Sequence, residues 1–167
     1  TFTLFDKLTG KPVRNAVVWQ CTRGEEICEK ILKNKDNSEL ITQKTGLKAN
    51  TFFSAGKLKW VIENEPHIKE GLIKGNILFG TIDTYLLYRL TKCKEYVTDT
   101  TNASRTLLFN CIDNRWDNEL FSIFEIEQFK LADVKSSSSN FGSSNFENSF
   151  LKEIPISGVA GDAQASF

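Results

Sequence analysis

The sequence predicts one α/β or α+β domain over its 167 residues, and three observations favour this class. Short apolar stretches near the start have the spacing of strands. Several later segments repeat apolar residues at helical spacing, and a short apolar stretch near the end leads into a further helix. Strands are few for so many helices, which leaves the choice between the two classes open. A chain of this length buries about 70% of the surface that its unfolded form exposes, enough for a core.

Residues 1–20 predict a β-hairpin. Phe2 and Leu4 alternate with threonines, residues 8–12 supply turn residues, and residues 16–19 form a second apolar run. Two strands are therefore expected to open the chain.

Five helices are predicted next, from start and stop signals and from apolar spacing. Thr22 and Glu25 match a capping box, Ser54 and Thr81 are candidate N-caps, and Gly46 is a stop signal. The apolar positions of the five helices are Ile27, Ile31 and Leu32; Leu40 and Ile41; Leu58, Val61 and Ile62; Ile82, Tyr85, Leu86 and Leu90; and Leu120, Ile123 and Phe124. The mixed charges of residues 25–30 and 57–64 are interpreted as solvated helix faces.

The last third begins with a serine- and asparagine-rich segment, residues 136–149, which predicts an exposed loop. Residues 154–156 then predict a short buried strand, and residues 158–161 turn the chain toward a helix that starts at Asp162. Ligands commonly meet an α/β sheet where a strand ends, so Asp162 is a candidate functional carboxylate. The alternative is that Asp162 only caps the helix.

Composition narrows the classes of function. The 21 basic and 21 acidic side chains balance to zero net charge, which gives no field toward nucleic acid or an anionic membrane. The sequence shows neither an apolar window of about 20 residues nor a signal-peptide pattern, so we expect a soluble, intracellular protein with a small-molecule or protein partner. Since methionine is absent, even at position 1, we expect an internal piece of a longer protein.

The usual metal and phosphate motifs are missing from the sequence. The four cysteines form no C-x-x-C pair, and His67 is the one histidine in the sequence that could join them as a metal ligand. Reduced, partly buried thiols are therefore favoured over a zinc site. The chain has neither a G-x-x-x-x-G-K-[ST] loop nor a G-x-G-x-x-G turn after a strand. From the residues alone, no complete active site is predicted.

Four stretches resemble the glycerol kinases of the FGGY carbohydrate kinase family: NAVVWQCTR, FFSAGKLKWVIEN, FGTIDTYLLYRLT with VTDTTNASRTLLFN, and IPISGVAGDAQ. The second stretch fits the first FGGY signature at every specified position. Within the family, TDTTNASRTLLF and the tryptophan of VVWQ favour glycerol over xylulose or gluconate as the substrate.

The resemblance implies a full-length protein about three times as long, with two actin-like, ribonuclease-H-like ATPase domains that close on ATP and Mg²⁺. Residues 1–167 resemble the latter part of the first, N-terminal domain, which is therefore incomplete here. The full-length protein is expected to phosphorylate glycerol to sn-glycerol 3-phosphate in the cytoplasm, as a homo-oligomer. The chain alone is expected to be inactive, because most nucleotide contacts lie outside it.

The resemblance also implies roles for four residues. Asp162 falls on the catalytic aspartate, the general base for glycerol, and Trp19 on the tryptophan that packs against the carbon side of glycerol. Phe52 lies where many members have a tyrosine that hydrogen-bonds glycerol, and Ala163 where a substrate-contacting glutamine usually follows the aspartate. No residue of this chain is assigned to the nucleotide or to a metal ion.

The substitutions at Phe52 and Ala163 each remove a hydrogen bond, and together they are expected to weaken glycerol binding by about tenfold to a hundredfold. They motivate a second hypothesis, a non-catalytic kinase-like protein that binds a polyol or a partner. A third hypothesis is an FGGY kinase for another sugar. Asp99, Asn102 and Ser104 are interpreted as turn-forming residues that hydrogen-bond nearby backbone.

Overall fold

A computed structural model describes residues 1–146 and 148–167, so Glu147 lies outside the described residues. The described residues contain eight strands and eight helices. In chain order they are β1 (Phe2–Asp6), α1 (Glu25–Lys33), α2 (Lys35–Thr45), α3 (Ser54–Asn64), α4 (Pro66–Ile73), β2 (Ile77–Thr81), α5 (Ile82–Leu90), β3 (Val97–Asp99), α6 (Thr100–Ala103), β4 (Phe109–Asn110), β5 (Arg115–Trp116), α7 (Asn118–Ile123), β6 (Asp133–Lys135), β7 (Ser143–Ser144), β8 (Ile154–Pro155) and α8 (Asp162–Ala165).

The first strand pairs with a distant part of the chain. β1 runs antiparallel to β2, with Leu4 opposite Phe79. The predicted hairpin is therefore wrong in its second strand, since the returning segment makes only isolated bridges, Phe2 with Val17 and Phe5 with Pro12. β1 is buried on both faces, with Phe2 and Leu4 in the main core and Phe5 in a smaller aromatic cluster. This burial explains why a distant strand outcompetes a local hairpin as its partner.

The predicted helices are present, but several predicted caps are not. α2 ends at Gly46 as predicted, with φ 71°. The capping box is wrong: α1 has Gly24 as its N-cap and no side-chain cap bond. Ser54 is the first residue of α3 rather than its cap, and Thr81 precedes α5 without a capping bond. α4, which begins at Pro66, was not predicted.

A close backbone contact joins α1 to α3. Gly24 has φ 86°, and a β-carbon there would lie 2.3 Å from the carbonyl oxygen of Gly56. A β-carbon at Gly56 would in turn lie 2.7 Å from Sγ of Cys28. The two glycines therefore let the start of α1 lie directly on α3.

The last third is more ordered than predicted. β7 pairs with β8, and both Phe141 and Ser144 of the predicted exposed loop are buried. Phe141 packs in a small cluster with partly buried Ile156 and Val159. The predicted burial of residues 154–156 is wrong for β8, whose Ile154 is 38% exposed. The cluster fixes the segment that leads to Asp162 against the rest of the fold.

Two further properties of the described residues bear on function. None of the helices in the described part of the chain is long and apolar enough to span a membrane. The four cysteines are free thiols, as predicted, and Cys28 is the buried one. Burial raises the pKa of Cys28 to about 11, and the charge of Lys57 lowers it only in part. At neutral pH this thiol is protonated, so it is a poor nucleophile.

Candidate functional site

Two predicted site residues form an aromatic wall on the surface. The ring centroids of Trp19 and Phe52 lie 5.4 Å apart, with the rings tilted by 53°. Phe53 packs edge-on against Phe52, and the guanidinium of Arg105 lies 4.8 Å from the Phe53 ring centroid. Trp19 is 50% exposed and Phe52 is 48% exposed. Half of each wall residue is therefore open to a ligand, although both are large and apolar.

A buried lysine holds the two segments of this wall together. Lys57 in α3 is fully buried, and its ammonium group donates to the carbonyl oxygens of Thr51 at 2.6 Å, Phe52 at 3.3 Å and Trp19 at 3.5 Å. Burial lowers the pKa of Lys57, as expected for a desolvated ammonium group. The interpretation of Lys57 as part of a solvated helix face is wrong.

Hydrogen bonds connect Asp162 to the helix that carries this lysine. The N–H of Gly161, which precedes Asp162, donates to Oγ1 of Thr101 in α6 at 2.7 Å. Just after α6, the carbonyl of Thr106 accepts a hydrogen bond of 3.0 Å from the N–H of Ala55, at the start of α3. Because α3 also carries the buried lysine that holds the aromatic wall, these bonds connect Asp162 to the wall.

The carboxylate of Asp162 is exposed at the start of α8. Gly161 is the N-cap, and α8 has no side-chain cap bond, so the alternative of a capping Asp162 is wrong. Its Oδ1 accepts one hydrogen bond of 2.9 Å, from the backbone N–H of Ala163. Ala163 is exposed beside it. Asp162 thus keeps acceptor capacity for a ligand.

A buried aspartate organises the loop behind Asp162. Asp99 accepts hydrogen bonds from the backbone N–H groups of Thr101 and Asn102 and from the side chains of Thr101, Asn102 and Ser137. Burial by itself would raise the pKa of Asp99, but the bonds from Thr101, Ser137 and Asn102 outweigh it and lower the pKa. The predicted bonds to nearby backbone are confirmed for Asp99 and for Ser104, which donates to the carbonyl of Thr101. The prediction is wrong for Asn102, whose side chain donates to the carboxylate of Asp99 instead.

The described residues contain no group of three or more His, Cys, Asp or Glu side chains that could hold a metal ion. Their donor sets therefore do not fit a Mg²⁺ site built from this chain alone. The chemistry that the described residues offer is a carboxylate with free acceptor capacity and an exposed apolar wall.

Two residues of this site escape prediction from residue patterns. Lys57 sits among charged neighbours in sequence, and Thr101 is one of several threonines in TDTTNASRT. A signal for Lys57 was present, because a lysine directly followed by Leu58 and preceded by small residues lies on the apolar face of α3. No comparable signal marks Thr101.

Comparison with known proteins confirms the resemblance and the fold. The model of the FGGY family of carbohydrate kinases, N-terminal domain, matches residues 1–167. Glycerol kinase 1 of Clostridium tetani is 46% identical over 99% of this chain and 33% of its own length, and the glycerol kinase of Thermococcus onnurineus is 49% identical over 99% and 32%.

A solved structure agrees with these relatives. The crystal structure of Plasmodium falciparum glycerol kinase with ADP matches with a TM-score of 0.90 and 40% identity, covering 99% of this chain and 33% of that chain. The chain spans about a third of the length of the curated relatives it matches. The chain belongs to the FGGY family of carbohydrate kinases, and it matches the N-terminal domain of that family.

Proposed function

We propose that the full-length protein transfers the γ-phosphoryl group of ATP to glycerol, giving sn-glycerol 3-phosphate and ADP, and that this chain supplies the latter part of its N-terminal domain. The observation that carries the proposal is the exposed Asp162 carboxylate, which hydrogen bonds through α6 and α3 connect to the Trp19–Phe52 wall. The names of the relatives support glycerol as the substrate, and the ADP in the Plasmodium falciparum structure supports an adenine nucleotide.

Asp162 is the general base in this proposal. Its free carboxylate oxygen accepts a hydrogen bond from the attacking hydroxyl of glycerol and takes the proton as the oxygen bonds to the γ-phosphorus and ADP leaves. Phosphoryl transfer depends mostly on aiming the nucleophile in line, so a carboxylate at a fixed helix start suits the task. The exposed position of Asp162 lets substrate reach it without displacing the core.

The aromatic wall binds the carbon face of glycerol. Flat, half-exposed rings at Trp19 and Phe52 suit the C–H groups of a small polyol, while the hydroxyls need polar partners. Phe52 and Ala163 offer no side-chain hydrogen bond, so the polar partners of glycerol lie elsewhere in the full-length protein. Weaker glycerol binding than in relatives with Tyr and Gln at these positions follows from this substitution pair.

ATP and Mg²⁺ are held outside the described residues in this proposal, since these residues contain no metal-binding cluster. Mg²⁺, when bound, neutralises phosphate charge. The homo-oligomeric state and the cytoplasmic location of the full-length protein stay predictions.

The absence of polar side chains at Phe52 and Ala163 favours a second candidate, a non-catalytic polyol- or partner-binding protein. One assay separates the two functions: ATP-dependent formation of glycerol 3-phosphate by the full-length protein at saturating glycerol. The proposed kinase forms product with a rate proportional to enzyme concentration, whereas the second candidate forms none. Xylulose and gluconate, assayed in parallel, test the third hypothesis, and a preference for either sugar would remove glycerol as the substrate.

A further inference from the structure

The hydroxyl of Thr101 connects the buried Asp99 to the residue that precedes Asp162. It donates its proton to Oδ2 of Asp99 at 2.6 Å and accepts a hydrogen bond from the backbone N–H of Gly161 at 2.7 Å. The direction of both bonds is fixed, because an ionised carboxylate only accepts and a backbone N–H only donates. A bond to a charged acceptor polarises the hydroxyl and strengthens the bond that it accepts.

The same carboxylate holds the other end of this segment. Ser137 donates to Oδ2 of Asp99 at 2.7 Å, and the carbonyl of Ser137 accepts a bond of 2.9 Å from the N–H of Val159. An isolated antiparallel β-bridge pairs the next residue, Ser138, with Gly158. Residues 158–161 are thus tied to Asp99 at both ends, through Ser137 and through Thr101.

The Gly161 bond is the last long-range attachment before Asp162. The hydrogen bonds that residues 162–167 make with described residues stay within residues 161–167. Because Gly161 is joined directly to Asp162, the hydroxyl of Thr101 constrains where the Asp162 carboxylate lies.

We propose that Thr101 is a positioning residue, which aims the Asp162 carboxylate by holding the N–H of Gly161 against the buried Asp99. The effect on catalysis rests on the proposed function, whereas the effect on the Gly161 segment does not. Loss of the hydroxyl displaces the general base but leaves the Trp19–Phe52 wall intact. It should therefore lower kcat more than it raises the KM for glycerol.

The test compares three variants of the full-length protein. Thr101→Val removes the hydroxyl at constant size, Thr101→Ser keeps it, and Thr100→Val makes the same change at a neighbour whose side chain has no hydrogen bond within the described residues. A misaligned base should lower kcat by about tenfold to a hundredfold in Thr101→Val, with KM changed less than about threefold. Thr101→Ser and Thr100→Val should stay near wild type. Should Thr101→Val fail to fold, Thr101→Ala removes the hydroxyl without added bulk.

Hydrogen exchange of the amides of residues 161–165 gives a second readout that needs no turnover. Thr101→Val should speed exchange there by about tenfold or more, and Thr101→Ser should not. Wild-type kcat in Thr101→Val, or unchanged exchange at these amides, would overturn the proposal. If the wild-type protein phosphorylates no polyol, the proposed function fails, and the exchange measurement alone then decides the role of Thr101.

Discussion

Trp19 and Phe52 face each other with ring centroids 5.4 Å apart, although 33 residues separate them in the sequence. Their backbone carbonyls share one ammonium group, that of Lys57. Lys57 and the two rings are thus connected as one unit.

The first prediction concerns the missing hydroxyl of the wall. Phe52→Tyr in the full-length protein should lower the KM for glycerol by about two- to tenfold, the effect of one added hydrogen bond, with kcat unchanged. Steady-state kinetics measures both. Phe150→Tyr is a matched control, because Phe150 is equally exposed, at 49%, and should leave KM unaltered. An unchanged KM for glycerol in Phe52→Tyr would show that the side chain at position 52 does not contact glycerol.

The second prediction concerns Lys57. Lys57→Met leaves buried carbonyls without their donor, so it should cost about 1–3 kcal/mol of stability and raise the KM for glycerol by about fivefold as the wall loosens. Thermal unfolding and kinetics of the full-length protein report the two effects.

Lys59→Met is the control for the loss of a lysine from α3. Lys59 pairs with Glu63 at 3.1 Å and Glu125 at 3.4 Å, away from the wall. The Lys59→Met variant should therefore lower the stability of the protein without changing the KM for glycerol. If Lys57→Met shows the same pattern, Lys57 supports the fold but not the wall.

The third prediction is a pH dependence of stability at the start of α7. Burial would raise the pKa of Asp117, but Lys44 at 2.8 Å, Asn110 and the N–H groups of Leu120 and Glu119 outweigh it and lower the pKa to about 2. A carboxylate with a lowered pKa stabilises the fold above the pKa of the unfolded chain and loses that effect as the pH falls through its folded value.

Asp117→Asn should therefore lower the free energy of unfolding by about 2 kcal/mol at pH 6. The difference from wild type should shrink between about pH 4 and pH 2, as the wild-type carboxylate takes up its proton. Unfolding midpoints measured across this range test the prediction. A difference that stays constant with pH would show that the ion pair with Lys44 contributes nothing.

Local signals were predictable from the sequence. The end of α2 at Gly46 and the start of α8 at Asp162 depend on the conformational preferences of a few adjacent residues, and both are confirmed. The caps at Thr22 and Ser54 were wrong because tertiary packing takes precedence over a local motif. The N-cap of α1 is instead Gly24, which lies close to the backbone of Gly56.

Long-range relationships were not predictable from residue patterns. β1 finds its partner more than 70 residues away, because that pairing buries both of its faces. The same limit applies to the site. Trp19, Phe52 and Ala163 came from family resemblance, and Asp162 came both from its place after a predicted strand and from the resemblance. The contacts of Lys57 and Thr101 cross 38 and 60 residues, which no local spacing records.

The most direct test of the account replaces the proposed general base. Asp162→Asn keeps the size of the side chain and an acceptor for the N–H of Ala163, so the exposed residue should tolerate the change without loss of thermal stability. In the full-length protein, ATP-dependent phosphorylation of glycerol should fall by about a hundredfold to ten-thousandfold in kcat, with the KM for glycerol little changed. Turnover at the wild-type rate by a folded Asp162→Asn protein would contradict the account.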